Sequence, residues 1–347
     1  MKYPEINISG RKIGFKHKPL IIVELGINHV GKISLAKKII DCAKKCGAEI
    51  IKNQTHLPYY EMSEEAKKIK PPNANKSIYD VIKESSLNKK EELKIFKYLK
   101  KKNLIFISTP FCREAANYLY ELNVPAFKIG SGECNNFPLI EHICKFKKPI
   151  ILSTGMNNIE TIKKSVKIIR KYKIPYALLH CTNLYPTKSS QVRLNCIDEM
   201  KNSFPDAVLG LSDHTPNNFS AFAALGKGVS IIEKHFIDDK KIRFGPDIKA
   251  SIDKNQLKEL IDGSKEIFYT RKGNKEILKE EKNVAKFAFA SVVSTKFIKK
   301  GEKLSKDNLW VKRPGTGFYS AGDYFKLIGK TSKKNIKINH QIKKNDI

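Results

Sequence analysis

Eight apolar, β-rich runs recur between Leu20 and Ile237, and their spacing constrains the fold more than any other feature of the chain. They begin near Leu20 (LIIVELG), Glu49 (EIIKNQTH), Leu104 (LIFISTPF), Ala126 (AFKIGSGE), Pro149 (PIILSTGM), Tyr176 (YALLHCTNLYP), Ala207 (AVLGLSDHT) and Ser230 (SIIEKHFI). Amphipathic stretches separate them. In Ser34–Cys46, Leu35, Ile39, Ala43 and Cys46 fall on one helical face, with Ser34 placed to cap the start and Gly47 to close the end. Strand and helix in alternation imply parallel strands joined by crossover helices, and eight such units over about 250 residues match an α/β fold of the (β/α)8 TIM-barrel kind.

The same pattern sets the domain boundaries. Residues 1–275 read as the barrel, opening with a hairpin over residues 1–19 (EINI and KIGF around Ser9-Gly10-Arg11) that would plug one end. The one long insertion, Leu57 to Lys90, follows the second strand, contains Pro71-Pro72, and is expected to form a loop or lid over the mouth. A charged linker over residues 276–286 leads to a second unit, residues 287–347, with short β-rich runs (FASVVS, LWVKRPG, KKNIKIN) and turn glycines at 301, 315, 317 and 329. That unit is too small to hold a large site of its own.

Composition narrows the function class. The longest apolar runs fall far short of the roughly 20 residues that cross a bilayer, and the N-terminus lacks an apolar signal core, so a cytoplasmic enzyme with no membrane partner is expected. The net charge of +31 invites a nucleic-acid reading. Its distribution opposes that reading, because lysines such as Lys37, Lys38, Lys44, Lys45, Lys163, Lys164 and Lys167 are scattered over helix after helix instead of forming one basic stripe. Such a field still attracts small anions. The seven cysteines form no C-x-x-C pair and are expected to be reduced; Cys112, Cys134 and Cys181 sit beside strand ends but read as small buried hydrophobes.

Barrel enzymes place their chemistry at the C-terminal ends of the strands. Here those ends carry Glu24 and Asn28-His29; Lys52 and Gln54; Ser108-Thr109; Lys128, Ser131 and Glu133; Ser153-Thr154; Asn183 and Tyr185; Ser212 and His214; and His235. His214 and His235 end consecutive strands, with Asp213 nearby, and two imidazoles completed by water and substrate oxygens suit Mn²⁺, Zn²⁺ or a similar divalent ion. His29, His56 and His180 are further candidates as ligands or supporting groups. Lys128-Ile129-Gly130-Ser131-Gly132-Glu133 and Ser153-Thr154-Gly155 supply an ammonium, hydroxyls and permissive backbone on adjacent strands, a set able to cradle a phosphate together with Asn183 and Ser212. Lys52 or Lys128 could instead form a Schiff base with pyruvate, which would leave the paired histidines and the cradle without a role.

The motifs ELGINHVG, KNQTH, STPF, KIGSGECNN, LSTGMN, LHCTNLYPT, GLSDHT, EKHF and GPDI, followed by FAFASVV and DNLWVKRPGTG, are similar to those of bacterial N-acetylneuraminate synthases along essentially the whole chain. The terminal unit resembles the antifreeze-like, β-clip-type domain that caps these enzymes. The resemblance implies condensation of phosphoenolpyruvate with N-acetylmannosamine in a domain-swapped homodimer, giving N-acetylneuraminate and phosphate by C–O cleavage. By the same correspondence, His214 and His235 would bind a divalent metal, commonly Mn²⁺. Lys52, Lys128, Ser131, Ser153, Asn183 and Ser212 would hold phosphoenolpyruvate, and Glu24, Gln54, Tyr185 and Asp247 would contact the sugar, with Thr109 nearby. Glu133 would be the acid/base, with Glu24 and Lys52 completing the catalytic set, and Arg313 would reach the N-acetyl end of the sugar from the cap of a second copy. The chain departs from the family at Val30 (more often Asn), Asn53 (His), Lys188 (Pro), Lys234 (Arg), Ile237 (Thr) and Asp239-Lys240 (Asp-Arg). Relatives that make legionaminic or pseudaminic acid share the barrel motifs, whereas GPDI and KRPGTG lean toward the N-acetylneuraminate branch.

Overall fold

The computed structural model describes residues 3–70, 75–241, 243 and 245–347; Pro71 and Pro72 of the expected lid lie outside them. The chain divides into two compact units, residues 1–272 and 273–347.

The first unit opens with the antiparallel hairpin of β1 (Glu5–Ile8) and β2 (Arg11–Gly14). Eight parallel strands then close into a barrel in sequence order: β3 (Leu20–Glu24), β4 (Ile50–Thr55), β5 (Ile105–Pro110), β6 (Phe127–Ile129), β7 (Ile150–Ser153), β8 (Tyr176–Cys181), β9 (Val208–Asp213) and β10 (Ile231–His235). The barrel predicted from the alternating pattern is therefore the barrel observed. Side chains along a strand alternate faces, and this alternation divides the core in two. Ile21, Val23, Ile51 and Phe106 point outward and pack on the surrounding helices. Leu20, Ile22, Ile50, Ile107, Ile151 and Ile231 point inward near the strands' N-terminal ends, where Ile6, Ile8 and Ile13 of the hairpin pack against them. The hairpin is thus a plug, because its own apolar face has no other core to join.

The insertion after β4, expected to form a loop or lid, is partly helical among the described residues. It contains short helices at Pro58–Glu61 and Ile78–Ser85, the second capped by Ser77, whose Oγ accepts from Asp80 N at 3.2 Å. It leads into the helix Lys89–Lys101, started by a reciprocal cap between Asn88 and Glu91.

The second unit pairs β11 (Ser291–Ser294) with β12 (Leu309–Lys312) over a small core that includes Val292, Ile298, Leu304, Leu327 and Ile342. The last five residues of the expected linker, 282–286, are helical, since the helix Lys282–Ala288 belongs to this unit. Among the described residues, no helix is long and apolar enough to cross a membrane.

Candidate active site

The inward face of each barrel strand keeps its period of two but changes chemistry toward the C-terminal end. On β3 the series runs Leu20, Ile22, Glu24; on β4, Ile50, Lys52, Gln54; on β10, Ile231, Glu233, His235. The apolar layers make a dry floor, and the polar layer above it holds charge that the floor cannot solvate. Lys52 Nζ lies 2.7 Å from Glu24 Oε2, 3.3 Å from Thr109 Oγ1 and 3.8 Å from Glu233 Oε2. Lys128 Nζ donates to Ser153 Oγ at 2.7 Å and lies 3.8 Å from Glu233 Oε1, which also accepts from Ser212 Oγ at 2.9 Å.

Burial dominates the protonation of this group, and neighbours decide the outcome. Burial alone would lift Glu233, but Lys128, Lys52 and Ser212 outweigh it and hold the carboxyl below its usual range. Burial would likewise lower Lys52, yet Glu233 and Glu24 keep it above the ordinary lysine value and therefore charged. Lys128 ends lower than usual, because burial and the Lys52 charge exceed the pull of Glu233. For Glu24 burial wins, raising it to about 7 despite Lys52. An anion entering beside Lys128 would supply the missing counter-charge.

His214 and His235 have ring centroids 5.4 Å apart, and Tyr185 stacks on His214 at 4.1 Å. Nδ1 of His214 donates to Thr182 O at 2.9 Å, leaving the Nε2 lone pair free. Burial lowers the pKa of His214 to about 4 and that of His235 well below its usual value, so both rings are neutral. His235 Nδ1 and Glu233 Oε2 are buried without hydrogen-bond partners among the described residues, and Asp247 Oδ2 lies 3.5 Å from His235 Nδ1. Burial raises Asp247 to about 6. Gly26, with φ +51, closes this corner: a Cβ there would stand 3.1 Å from the His235 ring and 3.2 Å from Asp247. No three His, Cys, Asp or Glu side chains among the described residues form a ready-made metal cage. Two neutral imidazoles with an orphaned nitrogen therefore fit a divalent ion only where water or substrate oxygens complete its shell.

Ser131 and Asn183, both expected in the cradle, lie beside Gly155. Ser131 Oγ accepts from Gly155 N at 3.0 Å, and Asn183 Oδ1 accepts from the Cys181 thiol at 3.0 Å. Glu133, on the turn Ser131–Glu133, is only half-buried. It accepts from Asn136 Nδ2 at 2.6 Å, and burial, with Glu61 adding to it, raises its pKa. Arg313 lies exposed just after β12 in the second unit.

Several residues grouped with the site face elsewhere. Asn53 and Ser108 point outward to Glu92, Asn28 donates to Phe236 O and Ser251 Oγ, and Thr154 donates to Leu179 O. Asp213 lies next to His214 and acts on it electrostatically, but its carboxylate bonds Lys234 at 3.0 Å on the outer face. His29 Nδ1 accepts from Gly31 N in its own loop, and His180 donates to Val192 O. Cys181 is a buried thiol whose pKa is raised to about 11, mainly by burial. Glu233 is the residue that reading only the last position of each run overlooks; it shares His235's face by the two-residue period.

Residues 39–276 match the NeuB family and residues 289–347 the SAF domain. The chain is 38% identical to the N,N'-diacetyllegionaminic acid synthase of Campylobacter jejuni, over 92% of this chain and 97% of that one. It is 32% identical to the human N-acetylneuraminate-9-phosphate synthase, over 92% and 90%. The crystal structure of N-acetylneuraminic acid synthetase from Leptospira borgpetersenii, solved with citrate, superposes with a TM-score of 0.74 at 30% identity, covering 81% of this chain and 95% of that one. With a closed eightfold barrel, a polar layer at its C-terminal end and a following SAF domain, the chain belongs to the NeuB family of sialic-acid-type synthases.

Proposed function

We propose that the protein condenses phosphoenolpyruvate with an N-acetylated amino-sugar aldehyde, releasing phosphate and a sialic-acid-type sugar acid. One observation supports this reading above the others. Two buried lysines, two carboxylates and the Ser153 and Ser212 hydroxyls share one inward layer, with Glu233 Oε2 and His235 Nδ1 left unpartnered.

Lys52, Lys128, Ser131, Ser153, Asn183 and Ser212 would hold the phosphate and carboxylate of phosphoenolpyruvate, fixed donors that need no reorganisation as charge moves. Glu24, Gln54, Tyr185 and Asp247 would bind the open sugar, with Thr109 steadying Lys52. His214 and His235 would hold a divalent ion, most simply Mn²⁺, which supplies Lewis-acid polarisation of the aldehyde oxygen. C3 of the enol phosphate attacks the aldehyde carbon as the aldehyde C=O π bond opens, its oxygen taking up a proton to become the new hydroxyl, and the electron deficiency this leaves at C2 is met by water. Glu133, steadied by Asn136, would take the water's proton, and the tetrahedral intermediate would expel phosphate by breaking the C–O bond. Arg313 would recognise an N-acetyl carbonyl across a domain-swapped homodimer.

N-acetylmannosamine is the first sugar reading. A diacetamido sugar is the second, favoured by the higher identity to the legionaminic acid synthase, 38% against 32% for the human enzyme. The lowered Lys128 favours a Schiff-base lyase on its own, but such a lyase would leave the paired imidazoles idle. Mass analysis of reactions containing phosphoenolpyruvate and a panel of N-acetylated hexosamines decides among these. A sugar-acid product with stoichiometric phosphate is expected. A borohydride-trapped pyruvate adduct on the protein, or no product from any sugar, would overturn the proposal.

A further inference from the structure

His56 is absorbed by none of these roles, yet it sits at the centre of a hydrogen-bond chain that ends on the polar layer. Glu61 Oε1 and Oε2 lie 2.9 and 3.2 Å from His56 Nδ1, and His56 Nε2 lies 3.1 Å from Gln54 Oε1. Gln54 Nε2 donates to Glu24 Oε1 at 2.8 Å, and Glu24 Oε2 meets Lys52 at 2.7 Å. The His56 and Glu61 side chains are only 4% and 6% exposed. The His56 ring is clamped face to face on Phe111 at 4.2 Å and 11°.

The order of donors along this chain follows from the Gln54 amide. Its nitrogen donates to Glu24 Oε1, so its oxygen, which can only accept, faces His56. His56 Nε2–H then donates to that oxygen, while Nδ1 faces the Glu61 carboxyl, 2.9 Å from Oε1. If His56 offered a lone pair to Gln54 instead, the amide would gain by turning over, and Glu24 would lose its donor. Glu61 ends the short helix Pro58–Glu61 of the insertion, so this chain also ties that insertion to the barrel interior.

We infer that His56, held by Glu61 and Phe111, is a positioning residue that fixes the amide orientation of Gln54 and, through it, the aim of Glu24 at the amino-sugar subsite. This rests on the substrate assignment above only for which substrate feels the loss. Two variants separate hydrogen bonding from packing. His56→Phe keeps an aromatic ring against Phe111 but removes both ring nitrogens, and His56→Gln restores a donor toward Gln54.

The test combines crystal structures of the full-length variants with kinetics. In His56→Phe the Gln54 amide should leave Glu24. KM for the amino sugar should rise about tenfold to hundredfold, the loss expected for a hydrogen bond to a charged group, while phosphoenolpyruvate affinity measured by calorimetry stays within about twofold. His56→Gln should recover most of the sugar KM. A Gln54–Glu24 bond unchanged in the His56→Phe structure would refute the inference whatever the activity, as would equal sugar KM in the two variants. An intact chain in a wild-type protein that turns over no amino sugar would instead remove the substrate assignment.

Discussion

Replacing Gly155 with alanine adds one methyl group where two elements of the proposed phosphate cradle meet. The new Cβ would stand 2.1 Å from Asn183 Oδ1 and 2.9 Å from Ser131 Oγ, against ordinary contacts of 3.4–4 Å, so the Asn183 amide must recede by more than 1 Å. Overpacking a rigid site costs about 1–3 kcal/mol. Here the obstructing atom is the end of a rotatable side chain, held by a thiol hydrogen bond from Cys181, and Gly155 itself has no positive φ that alanine would resist. Rotation of Asn183 therefore wins over backbone strain, and stability should fall by less than about 1 kcal/mol, a melting shift of about 3 °C or less. The functional cost is larger. An Asn183 turned aside gives up a hydrogen bond to an anionic ligand, about 1.5–3 kcal/mol, or about tenfold to hundredfold in phosphoenolpyruvate affinity. Calorimetric titration with phosphoenolpyruvate, beside thermal unfolding, measures both. Unchanged affinity in a variant whose Asn183 has demonstrably moved would refute the role given to that side chain, and a large melting drop with full affinity would refute the estimate of which group yields.

Glu92 is buried among the neutral donors Asn53, Thr55 and Ser108, and burial raises its pKa from 4.5 to about 7. In that window the folded state holds the extra proton, so the Glu92 contribution to stability should fall by about 3 kcal/mol as pH rises from about 4.5 to 7; Glu92→Gln should make the slope shallower in denaturant titrations, leaving what Glu24 and Asp247 add, and an unaltered slope would exclude a contribution from Glu92. Val30 has φ +42, a region that suits asparagine far better than a β-branched residue. Val30→Asn should therefore raise stability by about 1 kcal/mol, and a lower melting temperature would contradict the strain argument. EDTA should abolish turnover and Mn²⁺ restore it, whereas His235→Ala should not recover at ordinary metal concentrations; full activity in the chelated protein would remove the metal from the reaction.

The barrel was legible because crossover helices and strands leave different periods, and eight repeats leave few other arrangements. The site was legible at its ends but not in its facing. Lys52 and Asn53 are neighbours in sequence, yet Lys52 enters the barrel and Asn53 joins Glu92 outside it; Thr109 and Ser108 divide in the same way. Two departures from the family pattern, Asn53 and Lys234, lie on that outer face and so do not touch the inward polar layer. Glu233 is within reach of the two-residue period but stands one inward position before the strand-end His235. The chain from Glu61 through His56 to Gln54 was not legible, since its order depends on how the insertion folds back, and KNQTH alone does not say that His56 meets Glu61. The helices within the insertion were not legible because they are short and rely on local caps such as Ser77.

The most direct single measurement uses phosphoenolpyruvate labelled with heavy oxygen at the C–O–P bridge, turned over with N-acetylmannosamine and, in parallel, with a diacetamido sugar, while the masses of phosphate and sugar acid are followed. Phosphate that carries the label, beside a sugar acid that lacks it, is the expected result. Label retained in the sugar acid would show P–O cleavage and contradict water attack at C2, and release of phosphate without any sugar acid would contradict the condensation itself.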